Sequence, residues 1–552
     1  MTPALPQPLF SRRAALRLAG RAALAGAFAA ESCFATSEPL ANDFGAIAGE
    51  PAAEQVGLRV LAAGGNAIDA AVSAALAASV ASPHNCGPGG YGGCMVIAQA
   101  GTHKVTAIDF NTTAPAAWQP DTFPLDEKGG VRGQVNEYGW LSVGVPGTLA
   151  GLQLALDRFG SHSFAEAAAP AIKLAREGFP VTTGMAAATR GSLAWLRKDP
   201  ATARLLLKDG QPLPAGASWR NPELADLLET LARRGSVESF YRGDIARRIA
   251  DAFQKNGGLV RFADLAAYEA REVTPLIFDW RGFTVHTAPL TAGGLTVLQA
   301  LSILKELDWP ALPAGAAKTH AKLEALRMAW QDRLTLLGDP EHVTVPVPRL
   351  LSRDYSREAA TRVRIAVKSR RPLAAKVQPR PQGGTVNLSV ADRAGNLVAL
   401  TLTHGEAFGA RVTVEGLGLT LGHGLSRFDP GPGHPNSPGP RKRPLHNMCP
   451  TIVSRSGRPV LALGGAGGRR IPNSLFEVLT QIIVKGAPFD AALAAPRLHT
   501  EGDLTVRPEK AWPVGDMDYL KSVGYQVVAG NSAKIGAASF DPFTQACRAA
   551  WR

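Results

Sequence analysis

From Ala46 to the C-terminus the chain alternates between two hydrophobic periods. "PAAEQVGLRVLAAGGNAIDAAVSAALAASV" repeats its apolar residues every three to four positions, which predicts two helices broken at Gly64 and Gly65, with Asn66 placed to cap the second. "YGGCMVIAQAGTHKVTAIDF" alternates with period two about the turn "AGTHK" and predicts a hairpin. "VGVPGTLAGLQLALDRFG" and "SFAEAAAPAIKLAREG" return to the helical period, and Ser163 and Glu166 have the spacing of a capping box. Thr183 to about Ala270 reads as mostly helical. "PLIFDWRGFTVHTAP" predicts strands and "GGLTVLQALSILKEL" a helix.

From Thr385 the strand signal becomes dense. "TVNLSV" and "NLVALTLT" pair about "ADRAG", the short strands "PTIV" and "PVLALGG" follow, and "IPNSLFEVLTQIIVKG" is a helix entered by a glycine-rich turn. Strands between helix pairs predict a layered α/β arrangement. The basic, proline-containing segment from about Val363 to Gly384 reads as an exposed connector. "DPGPGHPNSPGPRKRPLHN" is too rich in proline and glycine to be an element, and long enough to border a site.

Composition narrows the class. A chain of 552 residues, 45% hydrophobic and 19% charged, has a core large enough for one big domain or several modest ones. The net charge of +13 is scattered and forms no nucleic-acid module, so solvated faces explain it and no nucleic-acid partner is expected. The N-terminus is distinct: "SRRAALRLAG" sets Arg12 and Arg13 before an alanine- and leucine-rich run, with Ala27, Ala29 and Ala35 suited to cleavage. This resembles a twin-arginine export signal over residues 1–35, which implies a periplasmic or secreted protein. The longest apolar run elsewhere, Ala70 to Ser82, falls short of the roughly 20 residues of a membrane span, so a soluble mature protein is expected. Five cysteines show no zinc spacing; Cys86 and Cys94 either close a loop as a disulfide or are free buried thiols.

Two glycines before Thr385 are either strand punctuation or the place where the backbone cuts itself. The order of "GGNAIDAAVSAALAASV", "GPGGYGGCMV", "VTAIDFNTTAPAAW", "VGVPGTLAGL", "PAIKLAREGFPV", "TVNLSVADRAGNLVALTLT", "RPLHNMCPTIV" and "GGAGGRR" resembles the γ-glutamyltransferase (glutathione hydrolase) family from about Ala46 onward. That resemblance implies a layered αββα sandwich of the N-terminal-nucleophile hydrolase type. It also implies that the Thr385 hydroxyl attacks the Gly384 carbonyl, and that an N-to-O acyl shift and hydrolysis leave a large chain, 40–384, and a small chain of 168 residues, 385–552. The freed α-amino group, with a reference pKa of about 8, then serves its own hydroxyl as base. The resemblance gives Thr403 the role of hydrogen-bonding the nucleophile, and gives Gly467 and Gly468 that of holding the oxyanion on backbone amides. It implies no metal or organic cofactor; the partners are a small-molecule or peptide amide and the two chains themselves.

The residues expected to grip a γ-glutamyl group depart from the family pattern. Asn111 stands where an arginine holds the α-carboxylate, and Arg427 where an acidic residue holds the ammonium. Gly424 replaces an amide side chain, His446 and Asn447 replace two serines, and Gly405 replaces an asparagine. Asn111, Arg427, His446 and Asn447 are therefore the candidate substrate contacts, Asp429 to Arg443 the candidate lid. The implied activity is hydrolysis or transfer of γ-glutamyl or related acyl amides. The alternatives are a cephalosporin-acylase-like amidase for glutaryl groups, which suits Arg427, or a relative that no longer processes and has a binding or structural role.

Overall fold

The structure, a computed structural model, describes Leu40, Ala41, residues 43–375 and residues 384–552. The export signal expected over 1–35 lies outside the described residues. The first helical stripe forms Pro51–Ala62 and Ala67–Ala81. The Asn66 side chain accepts from the amides of Ile68 and Asp69, while the Asp69 carboxylate accepts from the Asn66 amide. Three orphan donors are thus satisfied at the start of a helix whose every residue is buried. Ser163 and Glu166 open Phe164–Glu177 with the expected capping box.

Two antiparallel sheets make the centre. One runs in the order Gly45–Ala48, Val386–Asp392, Leu397–Thr403, Gly92–Ala98, Val105–Asp109, Arg271–Val273. The other runs Leu40–Ala41, Cys547–Trp551, Lys534–Phe540, Arg458–Ala466, Thr451–Arg455, Phe283–Thr287, Leu276–Trp280. They meet through small side chains, among them Ala46, Ala48, Ala399, Ala462, Ala538 and Ala549. On its other face the first sheet sends Leu388, Val390, Val398 and Leu400 into a core shared with the helices Ala67–Ala81 and Thr148–Phe159. The second buries Val453, Leu461, Leu463 and Ile535 under Gly294–Glu306, Ala316–Leu336, Arg353–Ser369 and Arg470–Lys485.

Two expectations change, and the open choice at Cys86 and Cys94 is decided. The region expected to be an exposed connector is helical up to Ser369, because Ala359, Ala360, Val363 and Ala366 recur at helical spacing and pack on the core. The largely helical stretch after Thr183 contains two-residue strands: Leu207–Lys208 pairs with Gln211–Pro212, and Ser218–Trp219 with Phe179–Pro180. Cys86 and Cys94 are both free. Cys86 belongs to the core under the helices and Cys94 to the layer between the sheets, so the sheet itself separates the two thiols. No helix among the described residues is long and apolar enough to cross a membrane.

Candidate active site

Strand register assembles the reactive centre. Val386 pairs with Leu402 in the antiparallel ladder, so Thr385, one residue earlier, comes opposite Thr403, one residue later. The Thr385 hydroxyl hydrogen-bonds the Gly384 carbonyl oxygen. The Thr403 hydroxyl donates to that same oxygen at 3.0 Å and accepts from the Gly405 amide at 2.8 Å. The Gly405 proton occupies a lone pair of the Thr403 oxygen, which turns the hydroxyl's own proton toward the carbonyl. Gly384 sits at φ 67°, and a Cβ there would lie 2.0 Å from the Gly405 carbonyl oxygen. Only glycine combines that backbone conformation with so close an approach. Thr385 is 9% exposed and Thr403 1%, so neither is an ordinary solvated strand hydroxyl.

Behind Gly405 lies the charged part of the site. A Cβ on Gly405 would meet the His423 ring at 2.0 Å and the Arg427 Nη2 at 3.0 Å. His423 Nε2 accepts from the Glu406 amide at 2.7 Å, so Nδ1 carries the proton and donates to the Glu137 carbonyl at 2.8 Å. Burial, reinforced by Arg427, drives the His423 pKa well below its ordinary value and keeps the ring neutral. Arg427 Nη2 lies 3.4 Å from that imidazole nitrogen, and the guanidinium also meets the Tyr91 hydroxyl.

Arg427 lines a cavity together with Arg333, Arg469, Glu137, Asp429 and His434. Arg333 is 3% exposed and Arg427 6%, so they form the base; the Glu137 and Asp429 side chains, 33% and 43% exposed, form the rim. Arg333 Nη2 donates to the His446 carbonyl at 2.7 Å and to Asn447 Oδ1 at 3.3 Å, while Nη1 has no partner among the described residues. Burial lowers the Arg333 pKa to about 10. Arg469 is tied to Glu501 at 3.1 Å.

The remaining predicted residues attach to this base. Asn111 is fully buried, and its Nδ2 donates to Thr291 Oγ1 at 2.8 Å and to the Pro444 carbonyl at 2.7 Å. The His446 amide donates to the Thr291 carbonyl, so Thr291 links Asn111 to His446. Burial pushes the His446 pKa down to about 3. The segment Asp429 to Arg443 carries no helix or strand, yet it is well tied: the Asn436 side chain donates to the Arg427 carbonyl at 2.8 Å and His434 Nε2 to that of Leu334 at 2.8 Å.

A second cavity, of about 180 Å³, touches Thr385 directly and is walled by Glu50, Asn85, Ala466, Lys534 and Trp551. Gly467 and Gly468 therefore run between the two spaces, since Ala466 lines one and Arg469 the other. Neither glycine amide donates a hydrogen bond among the described residues. Two free donors at that boundary can receive an oxyanion. Sequence reasoning missed Arg333, Arg469, His423, Glu137 and Lys534. A clue to Arg333 was a helix, Ala316–Leu336, that buries polar residues on every face.

Comparison with known proteins agrees with this geometry. Residues 53–543 match the family described as Gamma-glutamyltranspeptidase. The chain is 36% identical over 492 residues to the glutathione hydrolase proenzyme of Escherichia coli, covering 86% of this chain and 84% of that one. It is 35% identical over 516 residues to the Acylase ACY 1 proenzyme of a Pseudomonas species, covering 92% and 91%. Among solved structures, cephalosporin acylase from Bacillus halodurans superposes with a TM-score of 0.83 at 28% identity, over 95% of this chain and 97% of that chain.

Proposed function

The chain belongs to the gamma-glutamyltranspeptidase family and is an enzyme of its amide hydrolase and transferase type, and from that premise we propose that it is an exported precursor that cuts itself between Gly384 and Thr385. The observation that carries this reading is the pair of hydroxyls, Thr385 and Thr403, on the Gly384 carbonyl oxygen. Thr385 Oγ attacks that carbon, the N–C bond breaks as the acyl group shifts to oxygen, and water releases the ester. The products are chains 40–384 and 385–552, held in the layered arrangement of an N-terminal-nucleophile hydrolase.

In the mature enzyme the freed Thr385 amine takes the hydroxyl proton as Oγ attacks the substrate carbonyl. The oxyanion forms against the Gly467 and Gly468 amides, the amine half leaves with a proton, and a threonyl ester remains. Water completes hydrolysis, or a second amine completes transfer, with Asp429 to Arg443 bordering the entrance.

The acyl half enters the cavity based on Arg333 and Arg427. Two guanidiniums buried at the base of one cavity favour an acyl chain that ends in a carboxylate and lacks an ammonium, of the glutaryl kind. A second reading rests on Glu137 and Asp429: with both at the rim, a γ-glutamyl group can set its carboxylate on the arginines and its ammonium on the acids. Measuring kcat/KM on glutaryl and γ-glutamyl p-nitroanilides separates the two, and a strong γ-glutamyl preference overturns the first. On a denaturing gel the wild type gives two bands, the smaller beginning TVNLS, and Thr385→Ala gives one. A single wild-type band refutes self-cleavage and favours a relative with a binding or structural role.

A further inference from the structure

The turn proposed to hold the oxyanion is built from the residue type least able to keep one conformation. Gly467 sits at φ 145° and Gly468 at φ 63°, both in the region that glycine enters freely. That freedom lets their amides face a ligand with no side chain in the way. It also lets the peptide between them rotate out of place. A donor that must reorganise as charge develops loses much of its value, so a group outside the pair has to hold the peptide plane.

Arg470, the first residue of the helix Arg470–Lys485, supplies that hold. Its Nε donates to the Gly467 carbonyl oxygen at 3.1 Å, and its own amide reaches the same oxygen at a longer 3.4 Å. The Gly467 carbonyl and the Gly468 N–H belong to one planar trans unit, in which the two groups point in opposite directions. Fixing the oxygen on Arg470 therefore fixes the Gly468 proton on the side away from it, where it has no acceptor among the described residues. The guanidinium is held in turn, because Nη1 donates to the Asn531 side chain, on the segment that leads into the strand Lys534–Phe540. Arg469 is committed elsewhere: its Nη1 binds Glu501 at 3.1 Å, and Glu501 also meets His499 Nε2 at 2.9 Å. We propose that Arg470 is a positioning residue for the reaction. It touches no reacting atom and acts by holding the Gly467–Gly468 peptide with the Gly468 N–H set for the oxyanion. Its role rests on the amidase reading, in which the oxyanion forms against these amides.

The test compares matured wild type, Arg470→Met and Arg470→Lys on glutaryl and γ-glutamyl p-nitroanilide, with 4-boronobutanoate and its 2-amino analogue as the matching inhibitors. Boron bonds to Thr385 Oγ, the hydroxyl proton passes to the Thr385 amine, and the tetrahedral anion sets an oxygen where the oxyanion forms. In Arg470→Met, kcat should fall about tenfold or more and the boronate inhibition constant should rise by a similar factor, while KM stays within about twofold. Arg470→Lys keeps a cationic donor and should recover most of both. A smaller matured fraction lowers the apparent kcat alone, so an inhibition constant unchanged in Arg470→Met overturns the proposal and leaves the amidase reading intact. Should Arg470→Met fail to mature, Asn531→Ala, which removes an exposed side chain and keeps the arginine, decides the matter: a rise of about threefold in the inhibition constant supports the proposal and an unchanged one overturns it. Wild type that neither cuts itself nor cleaves either anilide overturns the amidase reading as well.

Discussion

Replacing Thr403 with valine removes one hydroxyl and keeps the β-branched shape. Two hydrogen bonds are lost: the 3.0 Å bond to the Gly384 oxygen and the 2.8 Å bond from the Gly405 amide. They affect different quantities. The first donor faces an oxygen that becomes negative when Thr385 attacks, and loss of such a donor costs about 10²–10³ in rate, or roughly 3–4 kcal/mol of barrier. The second leaves a buried amide without an acceptor, which costs about 1–3 kcal/mol of stability. Self-cleavage should therefore slow by at least a hundredfold while the precursor still folds. Labelled precursor made by cell-free translation, sampled over time on a denaturing gel, gives the first-order rate, and calorimetry of the purified protein gives the stability loss. Thr403→Ser restores the donor and should cleave within about tenfold of wild type. Cleavage of the valine variant at the wild-type rate refutes the view that Thr403 polarises the scissile carbonyl.

Arg427→Gln should lower kcat/KM for glutaryl p-nitroanilide by roughly tenfold or more, since a hydrogen bond to a charged group contributes about 1.5–3 kcal/mol; an unchanged value removes Arg427 from the acyl site. Gly405→Ala should lower the apparent Tm, because the new methyl meets the His423 ring and φ is 103°; the cost is at least ~2 kcal/mol, and an unchanged melting profile refutes it. Burial sets the pKa of His84 at about 4 and those of His404 and His446 at about 3, all below the unfolded value. Between pH 6.5 and about 4 the unfolded chain takes up protons that the folded chain refuses, so stability falls as pH falls, by about 1.4 kcal/mol per pH unit for each histidine. His446→Asn should flatten the fall in Tm over that window, and a slope identical to wild type counts against the assignment.

The residues proposed to cut the chain came from the family resemblance, and short-range structure is what brings them together. Gly384 and Thr385 are neighbours, Thr403 follows from the register of one short hairpin, and Gly467 and Gly468 form a single strand-to-helix turn. The cavity proposed for the acyl half was legible only at Arg427, because Arg333 and Arg469 come from other elements that join it through the fold. Arg333 is buried because Ala316–Leu336 is enclosed on several sides, where polar side chains such as Glu324 and Arg327 pair at 2.6 Å. The segment expected to be an exposed connector from about Val363 is helical to Ser369, and its basic residues mask an apolar stripe of small side chains. Sequence spacing left Cys86 and Cys94 open between a bridge and free thiols, and a single sheet crossing decides for free thiols.

The residues that depart from the family pattern form one connected set. An arginine at position 111 would have to give up the amide bonds that Asn111 makes to Thr291 and to the Pro444 carbonyl, and those bonds hold the chain that carries His446 and Asn447. That chain in turn is held by Arg333 through the His446 carbonyl. Arg333 Nη1 is buried with no partner among the described residues, so the guanidinium that fixes the loop holds a spare donor beside the cavity. At the other wall, a side chain at position 405 would displace His423, the neutral acceptor beside Arg427. Asn111, Gly405, His423 and the two buried arginines thus depend on one another. On the proposed reading the charge that meets the acyl carboxylate comes from Arg333 and Arg427 and not from position 111, and the small residue at 405 and the amide at 111 make room for it.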